Sequence, residues 1–527
     1  MEDSTTEHGE RWVEVGGGPL TIEDVVQVAR GGRKARLATT ARGQIERGRA
    51  VVEGALADER VVYGISTGLG ALSDTRISPG ERRQLQANLL RSHASGTGTP
   101  FPDDVVRAAL LLRAQALAQG YSGVRPVVIE QLLALLAARI VPVVPSQGSV
   151  GASGDLAPLA HLSLPLVGGG TVTADGTTGP GGDALAAAGI EPLVLEAKEA
   201  LALINGTQIT AALASLAVWD AALLLDAAEI AAAMSFEALG GHTAALAPAI
   251  QQLRPHPGQI AVAAAMRDLL SRDGHLPAGG RRAVQDRYTL RCIPQVLGPI
   301  RQAIDHVRQT VEIEINAVTD NPLCFPDSGD VISGGNFHGH PLALACDYLT
   351  AAIASLGTFT ERRIYTLVDS ATSGLSPFLT PSPGTNSGFM IAQYAAASLA
   401  SESKDLSHPA SVDSITTSAG IEDYNSMSTT AARKLAQVVT NSRRIVAIEM
   451  LCAGQALDLR AEPIWGLGPA SALRALRERV PFVERDDVEL HDLIARSERL
   501  IASGEVQAAV RAAVPDGDTG STGGGRA

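Results

Sequence analysis

A chain of 527 residues with 45% hydrophobic and 19% charged residues holds enough apolar material for a large core and more than one packing unit, and it lacks the composition of a disordered chain. The formal net charge of −13 argues against a nucleic-acid partner, because phosphate binding needs clustered Lys and Arg. Aromatic residues make up only 3%, so the core must be built from Ala, Leu, Val and Ile, and Ala and Leu favour helix.

Residues 1–20 show little pattern and are expected to be flexible. Their start, MEDSTTEHGERW, has no basic and no apolar region of the kind a signal peptide carries. Residues 21–208 read as a mixed N-terminal domain, in which short helical runs such as 104–118 and 126–138 alternate with Gly- and Pro-rich turns. Within it, VVPSQGSVGASGDLAPLAH at 143–161 is packed with Gly, Ser and Pro. It is expected to be a shaped loop with unusual backbone angles, neither helix nor strand. From 209 to 480 the pattern changes to long helices at 209–234, 297–317, 341–368, 388–405 and 427–458, which predicts a central bundle. The run 209–234 is long enough to cross a membrane, but Asp220, Asp226 and Glu229 interrupt it, so a buried bundle helix is the better reading. A C-terminal helical segment, 481–514, and a disordered, low-complexity tail, 515–527, complete the chain. No strand series and no internal repeat stands out, so the fold class is mainly α. Cys292, Cys324, Cys346 and Cys452 have no CxxC spacing and read as free thiols in a reducing cytoplasm.

The segment GSVGASGD, 148–155, is the most unusual stretch. It has no GK[ST] and no GxGxxG following a strand, so it does not cradle phosphate in a known way. Ser153 is followed by Gly154 and Asp155, which breaks the GxSxG pattern of a nucleophile elbow. Taken alone, it reads as a Gly-rich surface turn.

The longer run GSVGASGDLAPLAH, 148–161, resembles the signature of the histidine and phenylalanine ammonia-lyase family. The resemblance continues in separate motifs from about residue 61 to residue 457. In that family an Ala-Ser-Gly triplet cyclises by itself. The Gly nitrogen attacks the Ala carbonyl, two waters leave, and the product is 4-methylideneimidazol-5-one, whose exocyclic methylene comes from Ser. The resemblance therefore implies this electrophile at Ala152, Ser153 and Gly154, with no external cofactor. The residue types suit the chemistry: Gly154 has no Cβ to block the approach, Ser153 supplies a β-hydroxyl to eliminate, and Ala152 is small.

Removing a β-proton and an amine also needs a base and a carboxylate clamp. Tyr63 in VVYGISTGLG resembles the base of the family's YGxxTGFG motif, although Leu69 and Ser66 replace a more usual Phe and Asn. The plainer reading is a buried Tyr with a satisfied hydroxyl. His93 in LLRSHASGTG is similar to the histidine enzymes and implies a role beside the substrate ring. A satisfied loop histidine is its alternative. Asn205 in ALINGTQ matches the Asn that helps hold prosthetic group and substrate. Gln285, Tyr288 and Arg291 in QDRYTLRCIPQ resemble the family's QDxYSLRC run. Arg291 would clamp the carboxylate with its planar fork, whereas an ordinary Arg of this kind sits exposed on a helix. Tyr288 would act near the electrophile or on the departing amine, and Phe337 in GGNFHG would pack against the prosthetic ring. Glu422 in TSAGIEDYNSMS stands where histidine enzymes carry Glu and phenylalanine or tyrosine enzymes carry Gln or Asn. A carboxylate holds an imidazole N–H and gains nothing from a phenyl ring. Its alternative is a helix-start carboxylate. Tyr424 departs from the family's His. The segments NAVTDNP, 316–322, and NSGF, 386–389, match architectural stretches, and His161, His338 and His408 show no metal-ligand spacing, so no catalytic metal is expected.

The resemblance implies elimination of ammonia from an aromatic amino acid, L-histidine to trans-urocanate first. A tyrosine or phenylalanine ammonia-lyase and an aromatic 2,3-aminomutase share the same electrophile and remain open. A catalytically dead helical scaffold is the rival of another class, opposed by the intact Ala152-Ser153-Gly154, Tyr63 and Arg291. The resemblance further implies a cytoplasmic homotetramer whose sites each draw on three subunits, acting on a small amino acid, with no nucleic-acid or membrane partner.

Overall fold

The computed structural model describes residues 12–277 and 284–514. Its long helices fall where the Ala- and Leu-rich periodicity predicts them: Gln208–Leu239, Ile293–Glu314, His340–Val368, Met390–Leu406 and Ser428–Asp458. The fold is mainly α. Gln208–Leu239 and His340–Val368 are long and apolar enough to span a membrane by length and composition, yet 78% and 61% of their most apolar windows are buried inside the fold. Buried Glu229 in the first of them is neutralised by Arg301 at 2.6 Å.

The chain divides into two compact units, each assembled from separated stretches. The first comprises Met1–Trp219, Arg308–Asp347 and Pro409–Arg433, and the second Asp220–Val307, Tyr348–His408 and Lys434–Ala527.

In the first unit the helix Asp103–Ala118 packs against Ile22–Ala29 and Pro126–Ala137. Ile22–Ala29 is started by a reciprocal cap: Asp24 N donates to Thr21 Oγ1 at 3.1 Å, and Thr21 N donates to Asp24 Oδ2 at 3.2 Å. Short strands make four small sheets, among them a parallel pair of Val13–Val15 with Ala35–Leu37 and an antiparallel pair of Thr97–Pro100 with Pro145–Gln147. Two expectations are corrected here. Part of the stretch 1–20 is ordered: Val13 and Val15 bury their side chains from a strand of three residues, too short for alternation to register in the sequence. Residues 1–11, like the tail 515–527, lie outside the described residues. Only the middle of 143–161 is irregular, because 145–147 is a strand and Leu156–Ser163 is a helix. Pro158 sits in the first turn of that helix, where no intrahelical N–H is needed, so the proline that suggested a loop is tolerated.

The second unit places the helix Leu467–Arg477 against Pro257–Leu270 and Glu505–Ala513. Its interior holds a two-pronged ion pair, Arg363 Nε to Glu449 Oε1 at 2.6 Å and Nη2 to Oε2 at 2.8 Å, with both side chains fully buried. Ser235 Oγ donates to the same carboxylate at 2.7 Å.

The first unit has its own buried pair. Lys198 Nζ donates to Asp320 Oδ2 at 2.7 Å, and neither side chain reaches solvent. It ties the start of the helix Glu199–Ile204 to the segment after Glu314. Replacing Lys198 alone by Met strands a buried carboxylate and is expected to cost about 3–5 kcal/mol, read as a lower denaturant midpoint. The double replacement Lys198→Met with Asp320→Leu is expected to recover most of that loss. An unchanged midpoint in the single variant contradicts the assignment.

Candidate active site

The residues 148–155 form a tight turn in which Gly151, Ser153 and Gly154 all have positive φ, at +77°, +51° and +81°. For Ser153 such a conformation is unusual and has to be imposed by its surroundings. Two flanking contacts impose it. Met427 N donates to Val150 O at 3.0 Å before the triplet, and Asp155 N donates to Gly206 O at 2.7 Å after it. Gly154 and Gly206 pair as an isolated bridge, and a Cβ on Gly154 would overlap the Gly206 carbonyl.

Asp155 anchors the turn from below. It is fully buried and accepts from Thr210 N at 2.8 Å, Thr210 Oγ1 at 2.9 Å, Thr429 Oγ1 at 2.6 Å and Ser149 Oγ at 3.4 Å. Burial pushes its pKa above the usual carboxylate range, and the four donors hold the rise back.

Glu422 stands over the turn. Ser153 Oγ donates to its Oε1 at 3.2 Å, and Thr417 Oγ1 donates to its Oε2 at 2.8 Å. The segment is pinned by Thr417 N to Glu422 O at 2.9 Å and by Asn425, whose Nδ2 donates to Ile415 O and Thr417 Oγ1. Glu422 does not start a helix: a 3-10 turn, Ser418–Gly420, precedes it and the next helix begins at Ser428. Tyr63 is brought to the adjoining turn. Gly70 N donates to its hydroxyl at 3.3 Å, and a Cβ on Gly70 would lie 2.6 Å from Ser418 Oγ.

His93 ends the helix Arg82–His93. Its Nδ1 pairs with Leu89 O at 2.9 Å, which fixes the proton on Nδ1 and leaves Nε2 an acceptor in the neutral ring. Burial pushes its pKa down, opposed by the Leu89 carbonyl and the Glu422 charge. The chain beyond it is tied down by Gly96 N donating to His161 Nε2 at 3.0 Å.

Asn205 follows the helix Glu199–Ile204 and is 2% exposed. Its Nδ2 donates to Asn321 O at 3.0 Å, while its buried Oδ1 has no partner among the described residues. Asn321 Oδ1 in turn accepts from Gly334 N at 2.7 Å and so positions the turn carrying half-buried Phe337. Beyond it, His338 stacks on Tyr424 at 6.0 Å and 8°, and His340 meets the same ring edge-on at 5.9 Å.

The first unit thus gathers Tyr63, His93, Ala152, Ser153, Gly154, Asn205, Phe337 and Glu422. Gln285, Tyr288 and Arg291 belong to the second unit. There the one-turn helix Tyr288–Arg291 lays the Arg291 guanidinium over the Tyr288 ring at 4.6 Å. Tyr288 is 70% exposed, Gln285 is exposed, and the buried Nε of Arg291 has no partner among the described residues. Two open surface clefts of the first unit, one beside Arg47 and one beside Arg83, include none of these residues.

No role is expected from the sequence for Asp155, Thr210, Thr429 or Arg113, and Asn321 is expected only as part of the architectural segment NAVTDNP. Asp155 lay inside the quoted motif, and Arg113 interrupts an apolar run, ALLLRAQALA at 109–118. Those were the available signals. A cyclised Ala152-Ser153-Gly154 fits this frame, because the Gly206 carbonyl leaves no room for a side chain at Gly154, and the orphan Asn205 Oδ1 offers an acceptor for a substrate ammonium.

The profile of the family described as aromatic amino acid lyase matches residues 20–480. The histidine ammonia-lyase of Symbiobacterium thermophilum is 52% identical over 496 residues, covering 94% of this chain and 98% of that protein. The crystal structure of histidine ammonia-lyase from Trypanosoma cruzi has a TM-score of 0.89 at 39% identity, over 96% of both chains. The tyrosine aminomutase of Streptomyces globisporus has a TM-score of 0.91 at 35% identity, over 96% of this chain and 99% of that one. With its triplet turn, its buried Asn and its carboxylate over Ser153, this chain belongs to the aromatic amino acid lyase family.

Proposed function

We propose that this chain eliminates ammonia from L-histidine to give trans-urocanate. A 4-methylideneimidazol-5-one formed from Ala152, Ser153 and Gly154 supplies an electrophilic methylene for the substrate amine. The observation that carries the choice of histidine is Glu422, held by Thr417 with its other oxygen on Ser153 Oγ. A carboxylate in that position accepts an imidazole N–H, and neutral His93 beside it offers Nε2 as a further acceptor. Tyr63, on the turn adjoining Glu422, takes the β-proton. Asn205 helps hold the prosthetic group and the substrate, with its Oδ1 free to accept from the substrate ammonium, and Phe337 packs against the prosthetic ring. Relatives about half identical that are named histidine ammonia-lyase support the same choice.

Arg291 clamps the substrate carboxylate, with Tyr288 and Gln285 on the amine side. These three come to the site from neighbouring subunits of a homotetramer. The exposure of five of the seven tyrosines, Tyr288, Tyr348, Tyr365, Tyr394 and Tyr424, supports a chain that covers aromatic surface by association. A second reading, a tyrosine lyase or aminomutase, is favoured by Tyr424 and by the likeness to the tyrosine aminomutase structure.

A panel of L-histidine, L-tyrosine and L-phenylalanine, read by ammonia release and product chromatography, is expected to show turnover of histidine alone. A β-amino acid, or an unsaturated acid from tyrosine, supports the second reading instead. Glu422→Gln is expected to lower kcat/KM for histidine about 10- to 100-fold, the worth of one hydrogen bond to a charged acceptor. The pH profile gives an independent check. Burial lowers the His93 pKa, so the imidazole stays neutral, and active, down to pH values below its ordinary 6.5. The acid limb that disappears in His93→Gln is therefore expected below pH 6.5. A limb at or above that value contradicts the neutral, Nδ1-protonated ring.

A further inference from the structure

Arg113 lies in the middle of the helix Asp103–Ala118 and is fully buried, as are its sequence neighbours Leu110, Leu111, Leu112 and Ala114. Burying a guanidinium is costly unless something holds it. Its Nη1 donates to Asn205 O at 2.9 Å, to Gln208 Oε1 at 2.7 Å and to Thr319 O at 3.3 Å. Among the described residues its Nε and Nη2 have no hydrogen-bond partner. Burial pushes its pKa down to about 10, which leaves it cationic at neutral pH. Every bond it makes is therefore spent on the stretch 205–208 and the strand of chain beside it.

Gly206 sits inside that grip. A Cβ there would overlap Arg113 Nη1, and would lie 2.5 Å from both Gln208 Oε1 and Thr319 O. On its other side, Gly206 faces Gly154, whose own Cβ would overlap the Gly206 carbonyl. The order in space is Arg113, Gly206, Gly154. Thr207, next along, is held separately by its Oγ1 donating to Glu314 Oε1 at 2.6 Å.

We infer that Arg113 is a positioning residue for the self-cyclisation of Ala152-Ser153-Gly154: it backs Gly206, and Gly206 blocks relaxation of the turn away from ring closure. The inference rests on the electrophile proposed above. In the closure the Gly154 nitrogen bonds to the Ala152 carbonyl carbon. The carbonyl oxygen leaves as water with the amide hydrogens of Gly154 and Ser153, and the Ala152 carbon becomes doubly bonded to the Ser153 nitrogen. The Ser153 hydroxyl leaves as a second water with the Ser153 Cα hydrogen, which creates the methylene. No oxidant or reductant is required. The attacking nitrogen is a poor nucleophile, so closure depends on how tightly its approach is held. Positive φ at Ser153 shows a turn kept in a conformation it would otherwise leave.

The test uses the full chain as wild type, Arg113→Met, Arg113→Lys and Gln208→Met. The readout is the mass of the peptide carrying residues 152–154, with circular dichroism and thermal unfolding as controls for the fold. The wild-type peptide is expected to be two waters lighter than its sequence. A folded Arg113→Met is expected to show a cyclised fraction lower by about tenfold or more, the scale of a small misplacement at a reacting centre. Arg113→Lys, which keeps a cation and some of the bonds, is expected to fall between the two. A merely structural role would lower the unfolding temperature and leave the peptide cyclised. A folded Arg113→Met that is cyclised as fully as wild type overturns the inference. If Arg113→Met does not fold, Gln208→Met decides: a several-fold lower cyclised fraction supports the inference, and a wild-type fraction overturns it. A wild-type peptide of uncyclised mass overturns the electrophile and this inference with it.

Discussion

The backbone of Gly154 lies so close to Gly206 that it accepts no side chain, and Gly206 is itself closed in by Arg113, Gln208 and the Thr319 carbonyl. Ser153, on the same turn as Gly154, meets Glu422, whose segment adjoins the turn of Tyr63 and Gly70 at Ser418. Each neighbouring element serves to hold one side of the Ser153 turn. Asp155 fastens the turn to the beginnings of Gln208–Leu239 and Ser428–Asp458 through Thr210 and Thr429. The helix Glu199–Ile204 delivers Asn205 and Gly206 from the other side, and Lys198 pins the start of that helix to Asp320. Loosening any of these would let Ser153 leave a positive φ that nothing local stabilises.

The unit gathers buried charge around this turn, Arg113, Lys198, Asp155 and Asp320, with half-buried Glu314 beside them. Burial pushes the carboxyls of both Asp155 and Glu314 upward, and the Asp155 charge adds to the rise at Glu314. Such groups rarely add net stability over well-packed apolar residues. Their gain is geometric. A hydrogen bond to a buried charge fixes a direction, and a fixed dipole costs no reorganisation when chemistry occurs beside it. An apolar core of the same volume would pack as densely and would leave the 205–208 turn free to slide.

The long helices were legible because Ala and Leu recur at helical spacing over many turns, and chain ends shifted by only a few residues. The candidate site was legible wherever its residues lie in short local runs, such as the triplet turn, the Tyr63 segment and the Glu422 segment. Three kinds of feature were not. Strands of three residues, such as Val13–Val15, are too short to show a period. The helix Leu156–Ser163 was hidden by a proline that its first turn accepts. Arg113 was invisible as a site residue because its partners, Asn205, Gln208 and Thr319, lie 92 to 206 positions away. A sequence shows that a charge sits in an apolar helix, and only the packed chain shows what the charge holds.

Tyr424 illustrates how a departure from the family pattern can leave a neighbouring residue untouched. The placement of Glu422 rests on Thr417, through both backbone and side chain, and on Asn425. None of those bonds uses the side chain at 424. The Tyr424 ring is instead 56% exposed and lies flat against His338, with His340 at its edge. An imidazole in its place would meet the same two rings, since stacking needs a flat face of similar extent and not a hydroxyl. The exchange of His for Tyr therefore changes the rim of the aromatic cluster while the carboxylate over Ser153 keeps its supports. In the proposed reading, specificity for an imidazole rests on that carboxylate and on His93, so the departure at 424 weighs less on substrate choice than its place in the motif suggests.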